Sequence, residues 1–149
     1  AQRRGSKKGD SNEAIGRSRG GLTTKIHAIV DALGNPLAVS LTSGHVHDVT
    51  QAQVLTQKIE PAALLADKGY DSDGFIEHLE VRRIKPVIPP RANRNSPREC
   101  DFALYCERNL VERFFNIIKH FRAIATRYEK TARNFLAGVH LVCAPAWLK

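Results

Sequence analysis

Two carboxylates, and the cations spaced around them, are the residues of this 149-residue chain best suited to chemistry. In YCERNLVERFFNIIK, residues 105–119, Tyr105, Arg108, Glu112 and Lys119 follow at intervals of three, four and seven. A helix turns by about 100° per residue, so these four side chains are predicted to share one narrow face. Leu110, Val111, Phe114, Ile117, Ile118 and Phe121 are predicted on the opposite arc, where burial in a core accounts for them. The polar arc sets Glu112 between two cations and beside a phenol. A solvated, salt-bridged face accounts for that as well, because ion pairs at such spacing contribute only about 0.2–0.5 kcal/mol. The other carboxylate is Asp67. It follows the apolar run ALLA (residues 63–66), bounded by Pro61 and Gly69 and predicted as a buried strand. Asp67 therefore leaves the C-terminal end of a strand, the edge at which open α/β sheets bind ligands. Its plain alternative is a turn or cap aspartate, a role that Asp71 and Asp73 fit better.

Taken together the two carboxylates suggest more. One at a strand end and one on a later helix can converge on a divalent cation. Mg²⁺ takes carboxylate oxygens and leaves room for phosphate oxygens. Two such ions clamp the attacking and leaving oxygens of a phosphodiester, and neighbouring Arg and Lys stabilise charge on the transferring phosphate. Asp67 and Glu112 are the candidate metal ligands. The stretch GHVHD, with His45, His47 and Asp48, also looks like a ligand cluster, but capping and local hydrogen bonding account for it better. His27 is read in the same way, and Asp31 is expected to open a hairpin turn.

The charge balance points to a polyanion. Lys and Arg number 23 against 15 Asp and Glu, a net charge of +8, and nucleic acid is the natural partner. Arg91, Arg94 and Arg98 form one basic group in a polar loop; Lys119, Arg122, Arg127 and Lys130 form another, interleaved with aromatic residues. Arg17, Arg19 and Lys25 extend the basic surface toward the N-terminus. Counterion release makes such a surface attractive to duplex DNA. The three cysteines, Cys100, Cys106 and Cys143, contain no C-x-x-C pair and are read as reduced thiols, with Cys143 in the core.

The elements that must position these residues follow from periodicity. Residues 1–21 are nearly free of apolar side chains and are predicted to be a flexible basic arm. Leu22 to Val30 alternates and reads as a strand, DALGNP as a turn, and Leu37 to Leu41 as the returning strand. Helices are predicted over 48–59 and 73–82, short strands over 63–66 and 85–88, and a Pro-rich basic loop over 89–101. One long helix is predicted from about Glu107 to Tyr128 and another over 132–142. The order implies an α/β fold in which helices cover a mixed sheet. No run approaches the roughly 18 apolar residues of a membrane span, and no signal peptide is visible at the N-terminus. The absence of any Met suggests a fragment or a processed product.

These residues resemble a known family. The Tyr105, Arg108, Glu112, Lys119 spacing matches the Y-(2)-R-(3)-E-(6)-K motif of bacterial insertion-sequence transposases of the DDE type. ADKGYD (residues 66–71), GRSRGGLTTKIH, DALGNP and FRAIATRYEKTARNFLA are similar to segments of family five of these elements, so the resemblance covers nearly the whole chain. It implies an RNase H-like fold over residues 22–149 and an Asp-Asp-Glu triad that binds two Mg²⁺ or Mn²⁺ ions. Asp67 matches the second Asp and Glu112 the Glu. Arg108 and Lys119 would position Glu112 or bind phosphate, and Tyr105 would orient the group. The first Asp belongs to an opening strand for which no counterpart is seen before residue 22, and Asp10, in a polar run, is a poor substitute. The chain thus resembles the C-terminal part of a transposase catalytic domain lacking its opening central strand. The resemblance further implies action on double-stranded DNA, both element ends and target, in the bacterial cytoplasm at the nucleoid, with a homo-oligomer allowed. The rival readings are a catalytically inactive DNA-binding remnant and a hydrolytic nuclease of the same fold.

Overall fold

The computed structural model describes residues 16–18, 21–126 and 131–148. The arm predicted over residues 1–21 falls mostly outside these, as do Arg19 and Arg127 and the side chain of Arg17. The arrangement is mixed α/β, with helices packed on the faces of two small sheets.

The hairpin is present. β2 (Gly21–Val30) pairs antiparallel with β3 (Pro36–Ser43), with Ile26 opposite Leu41 and Ala28 opposite Val39. Its turn is set by Asp31, whose Oδ1 accepts the Leu33 and Asn35 N–H groups at 2.8 and 2.9 Å, while Gly34 supplies a positive φ of 84°. A short strand, β1 (Gly16–Ser18), lies along the other edge of β2, but only over Gly21 to Thr23.

Alternation along the hairpin decides what packs where. Ile26, Ala28, Val30, Val39 and Leu41 face one core, made by Phe114, Ile118, Ile124, Phe135, Val139 and Cys143. These come from α4 (Asn109–Lys119), α5 (Arg122–Ala125) and α6 (Ala132–Cys143). The opposite face carries Lys25, His27, Ser40 and Thr42. It meets α1 (Asp48–Thr56) through polar contacts: Lys25 Nζ reaches Asp48 Oδ1 at 2.9 Å, and His27 bonds Thr42 at 2.7 Å within the sheet. Burial holds the His27 pKa below its ordinary value, against the pull of Asp48.

The second core holds the other sheet. β4 (Ala63–Leu65) and β5 (Lys85–Val87) run parallel, covered by α1 and by α2 (Asp73–Val81). Phe75, Ile76, Leu79, Ile84 and Ile88 are buried with Ala52, and Leu64, Ala66 and Tyr70 pack against them. Ser72, not Asp73, caps α2 by accepting the Phe75 N–H at 3.3 Å. The loop after β5 ends at Asp101, which pairs with Lys85 at 2.8 Å and caps α3 (Phe102–Tyr105).

The long helix predicted from Glu107 to Tyr128 is interrupted. The chain winds through α3, a 3₁₀ turn at Cys106–Arg108 and α4, then breaks at Phe121, which is extended (φ −85°, ψ 106°). No Pro or Gly forces the break. Ile118 and Ile124, six residues apart, are both buried in one core, yet on a continuous helix they would point in different directions. Their separation around such a helix is about 120°, and the break turns α5 so that Ile124 returns to the core. Ile117 and Phe121, predicted on the buried arc, are 56% and 45% exposed. Among the described residues no helix is long and apolar enough to cross a membrane.

Candidate active site

The sheets β1–β3 and β4–β5 are separate ladders, and a cavity of about 880 Å³ lies between them. One wall is β2 from Lys25 to Val30, the other β4 with Ala66 and Asp67 just after it, and α1 and α4 close the faces. The backbone of both walls can be followed group by group. Gly44 N–H bonds Thr23 C=O across the hairpin, so Lys25, His27 and Ile29 turn their amides toward β3 and Ile26 and Ala28 turn theirs into the cavity. In β4, the Ala62 carbonyl and the Ala66 N–H bond β5, so Ala63 and Leu65 point their N–H and C=O groups the other way. Two strand edges face each other across the space. Among the described residues, no strand pairs with β2 on this edge beyond Thr23, and none pairs with β4 here.

The two predicted carboxylates border this cavity. Asp67 emerges where β4 ends, as the sequence pattern requires, and Glu112 comes from the first turn of α4; both line the same space with Asp48, Tyr70, Glu107 and Arg108. Asp67 is itself a cap, contrary to the expectation that Asp71 and Asp73 would take that role. Its Oδ1 accepts the Gly69 N–H at 2.7 Å and closes a 3₁₀ turn over Lys68–Tyr70. Burial, with Asp48 and Asp67 nearby, pushes the Tyr70 phenol up to about 12, so it stays protonated at neutral pH.

Tyr105, Arg108 and Glu112 are brought together as predicted, although Tyr105 lies in α3 and Arg108 in the 3₁₀ turn rather than in α4. The Arg108 guanidinium sits 5.5 Å from the Tyr105 ring centroid and donates to Glu112 Oε1 at 2.5 Å. Lys119, two turns further on, is exposed and does not border the cavity.

The predicted DNA cations divide. Arg122 is exposed on α5. Lys25, Arg91 and Arg94 are instead engaged by the protein. Lys25 bonds Asp48 and the Val46 carbonyl at 2.8 Å. Arg91 donates to the Lys68 and Gly69 carbonyls at 3.1 and 2.7 Å. Arg94 bonds Asp71 at 2.6 Å and Asp73 at 2.9 Å, and Arg98 bonds Asp71 at 2.7 Å and also Asp73. Asp71, 3% exposed, is the buried centre of this group. Burial alone pushes its carboxyl up, but Arg94, the Arg91 N–H and the charge of Arg98 outweigh that and hold it below the ordinary carboxylate range. Sequence reasoning missed the group. The available signal was an acidic pair, Asp71 and Asp73, against three arginines in a loop bounded by prolines.

Hard oxygen donors suit a divalent cation such as Mg²⁺, and Asp67 and Glu112 supply them on one cavity. Asp67 Oδ2 has no protein partner among the described residues. Among those residues no group of three or more His, Cys, Asp and Glu side chains is arranged to hold a metal. His45, His47 and Asp48 are not such a group, and Asp48 pairs with Lys25.

Comparison with known proteins adds relatives. Residues 2–145 match the family described as the transposase DDE domain. A candidate transposase of insertion sequence element IS6501 from Brucella ovis is 40% identical over 131 residues, 86% of this chain and all of that protein. A candidate transposase of insertion sequence element IS402 from Burkholderia cepacia is 35% identical over 132 residues. That match takes in 80% of this chain but 60% of the relative, which is the longer protein. No solved structure matches the chain.

Proposed function

Because the chain belongs to the DDE transposases of bacterial insertion sequences, we propose that Asp67 and Glu112 are two of the carboxylates with which it cuts and joins DNA. The reaction is phosphoryl transfer at the element ends, water attacking first and a DNA 3′-hydroxyl second. The observation that carries the reading is that both carboxylates border one cavity, Asp67 at a strand end and Glu112 on the facing helix. They would hold Mg²⁺ or Mn²⁺, and a bound ion supplies polarisation of the phosphate and a deprotonated attacking oxygen.

The other residues act through these two. Arg108 fixes the rotamer of Glu112 by its bond to Oε1, and the Tyr105 ring holds Arg108 over its face. Lys119 at the end of α4 and Arg122 at the start of α5, both exposed, bind phosphates of the duplex. The cavity supports an RNase H-like reading in which a central strand would lie between β2 and β4. A strand entering between β2 and β4 would pair with Ile26 and Ala28 on one side and Ala63 and Leu65 on the other. It would bring the third carboxylate to the end of the slot where Asp67 sits. The protein then works on chromosomal DNA in the cytoplasm, alone or as a homo-oligomer.

The test is cleavage and joining of duplexes carrying the element's inverted repeats, by the polypeptide with and without Asp67→Ala and Glu112→Ala. The reading requires that each change abolish both steps and leave duplex binding intact. Cleavage without joined product would favour a nuclease, and duplex binding with no cleavage by any version would favour an inactive remnant.

A further inference from the structure

We propose that the loop over residues 89–101 is a clasp that sets the Asp67 carboxylate, with Arg91 as a positioning residue and Asp71 as its anchor, and that these arginines grip protein rather than DNA. The inference rests on the reading of Asp67 as a metal ligand.

The geometry forms an unbroken path. Asp67 Oδ1 holds the turn after β4 by its Gly69 N–H. Arg91 holds the same turn by its carbonyls, Nε on Lys68 and Nη2 on Gly69. The Arg91 N–H donates in turn to Asp71 Oδ2 at 2.8 Å. Asp71 is secured by Arg94 and Arg98, one on each oxygen, and both arginines reach on to Asp73. The planar guanidinium suits this, because two donors of one rigid fork meet two successive carbonyls. The Nε–Nη2 edge of the Arg91 fork is committed to the turn in this way, so a phosphate could take that edge only by releasing the turn.

Gly69 adds a separate observation. A Cβ there would lie 2.8 Å from Asp67 Oδ1, and its backbone is not in the left-handed region. Glycine is therefore required by the carboxylate and not by the turn. A side chain at 69 would push the carboxylate aside, since Oδ1 is the far end of a rotatable group, and would release its bond to the N–H of residue 69 while the Arg91 bonds still hold the turn. A ligand oxygen must be fixed before a cation arrives if the site is to bind without reorganising.

The experiment compares the full chain with Arg91→Ala, Gly69→Ala and Asp67→Ala by three readouts. These are hydrogen exchange of the Gly69 amide, Mn²⁺ binding by electron paramagnetic resonance, and duplex-DNA affinity against salt. Arg91→Ala is expected to speed Gly69 exchange and to weaken Mn²⁺ binding by about 10–100-fold, the usual effect of removing a supporting partner. Gly69→Ala should weaken Mn²⁺ binding alike without loss of fold. Neither should change the salt slope of DNA binding. If Arg91→Ala instead lowers that slope by about one, as loss of a phosphate contact does, and leaves Gly69 exchange unchanged, the clasp is overturned. If Asp67→Ala leaves Mn²⁺ binding intact, the metal reading of Asp67 fails and the clasp's purpose with it, whatever the exchange rates show.

Discussion

Replacing Asp71 with Asn removes one charge from the centre of the clasp and keeps its shape. The carboxylate is 3% exposed and accepts from the Arg91 N–H, Arg94 Nε and Arg98 Nη1. An amide offers one acceptor oxygen and turns an NH₂ toward an arginine that is itself a donor. Breaking a buried ion pair by removing one partner costs about 3–5 kcal/mol. The arginine side chains here are 19% and 31% exposed, so water recovers part of that and about 3 kcal/mol is expected. For a domain of this size that corresponds to a melting temperature lower by roughly 10 °C. Asp73→Asn is the control: its side chain is 81% exposed, solvent screens its ion pairs, and little change in stability is expected. The acid side gives a second check. Asp71 has a depressed pKa in the fold, so its contribution is complete above the unfolded value of about 3.9 and is lost as pH falls through the lower folded value. Urea melts of both proteins should run at a constant separation from neutral pH to about pH 5 and converge below about pH 4. A separation under about 1 kcal/mol at pH 7, or one that persists unchanged to pH 3, would refute the account of Asp71 as the anchor.

Arg108→Ala should release Glu112 and lower the rate of DNA cleavage by about 10–100-fold through a weaker metal site, with duplex affinity read in parallel by fluorescence anisotropy and expected to hold. Arg122→Ala, at an exposed phosphate contact, should weaken binding to all duplex sequences alike and reduce the salt slope by about one; a sequence-dependent loss would count against it. Filling the slot between β2 and β4, by an added peptide able to pair with both edges, should raise the melting temperature, because each buried backbone group left unpaired costs about 1–3 kcal/mol; an unchanged melt would show that no strand fits there.

Local chemistry made the hairpin legible: DALGNP holds an Asx turn, a glycine with positive φ and a proline, and the structure uses the first two directly. The short strands and α2 followed from bounded apolar runs for the same reason. The Tyr105, Arg108 and Glu112 group was legible because contacts three and four residues apart survive a switch from 3₁₀ to α winding. What failed was non-local. The break at Phe121 answers a demand made by the sheet on Ile118 and Ile124 together, and no residue near it advertises it. Arg91 and Arg94 read as DNA contacts because charge is visible in a sequence, whereas a buried carboxylate twenty or more residues away is not.

The same comparison changes how the net charge of +8 should be read. Arg91, Arg94 and Arg98 lie against Asp71, Asp73 and backbone carbonyls, and Lys25 against Asp48. Their charges remain in the long-range field that draws DNA in, but their donors are committed elsewhere. Attraction and contact thus belong to different residues. Mutating a clasp arginine should slow the approach of DNA at low salt, as any lost charge does, while leaving the bound complex with the same number of phosphate contacts. In the proposed complex, Arg122 and Lys119 would carry both roles. The cavity imposes a matching division on the carboxylates. Asp67 is set from outside by the clasp and Glu112 from below by Arg108, two supports that share no hydrogen bond. In the proposed site, what would bring the two oxygens to a common ion is the spacing of β4 and α4 across the cavity that both residues line.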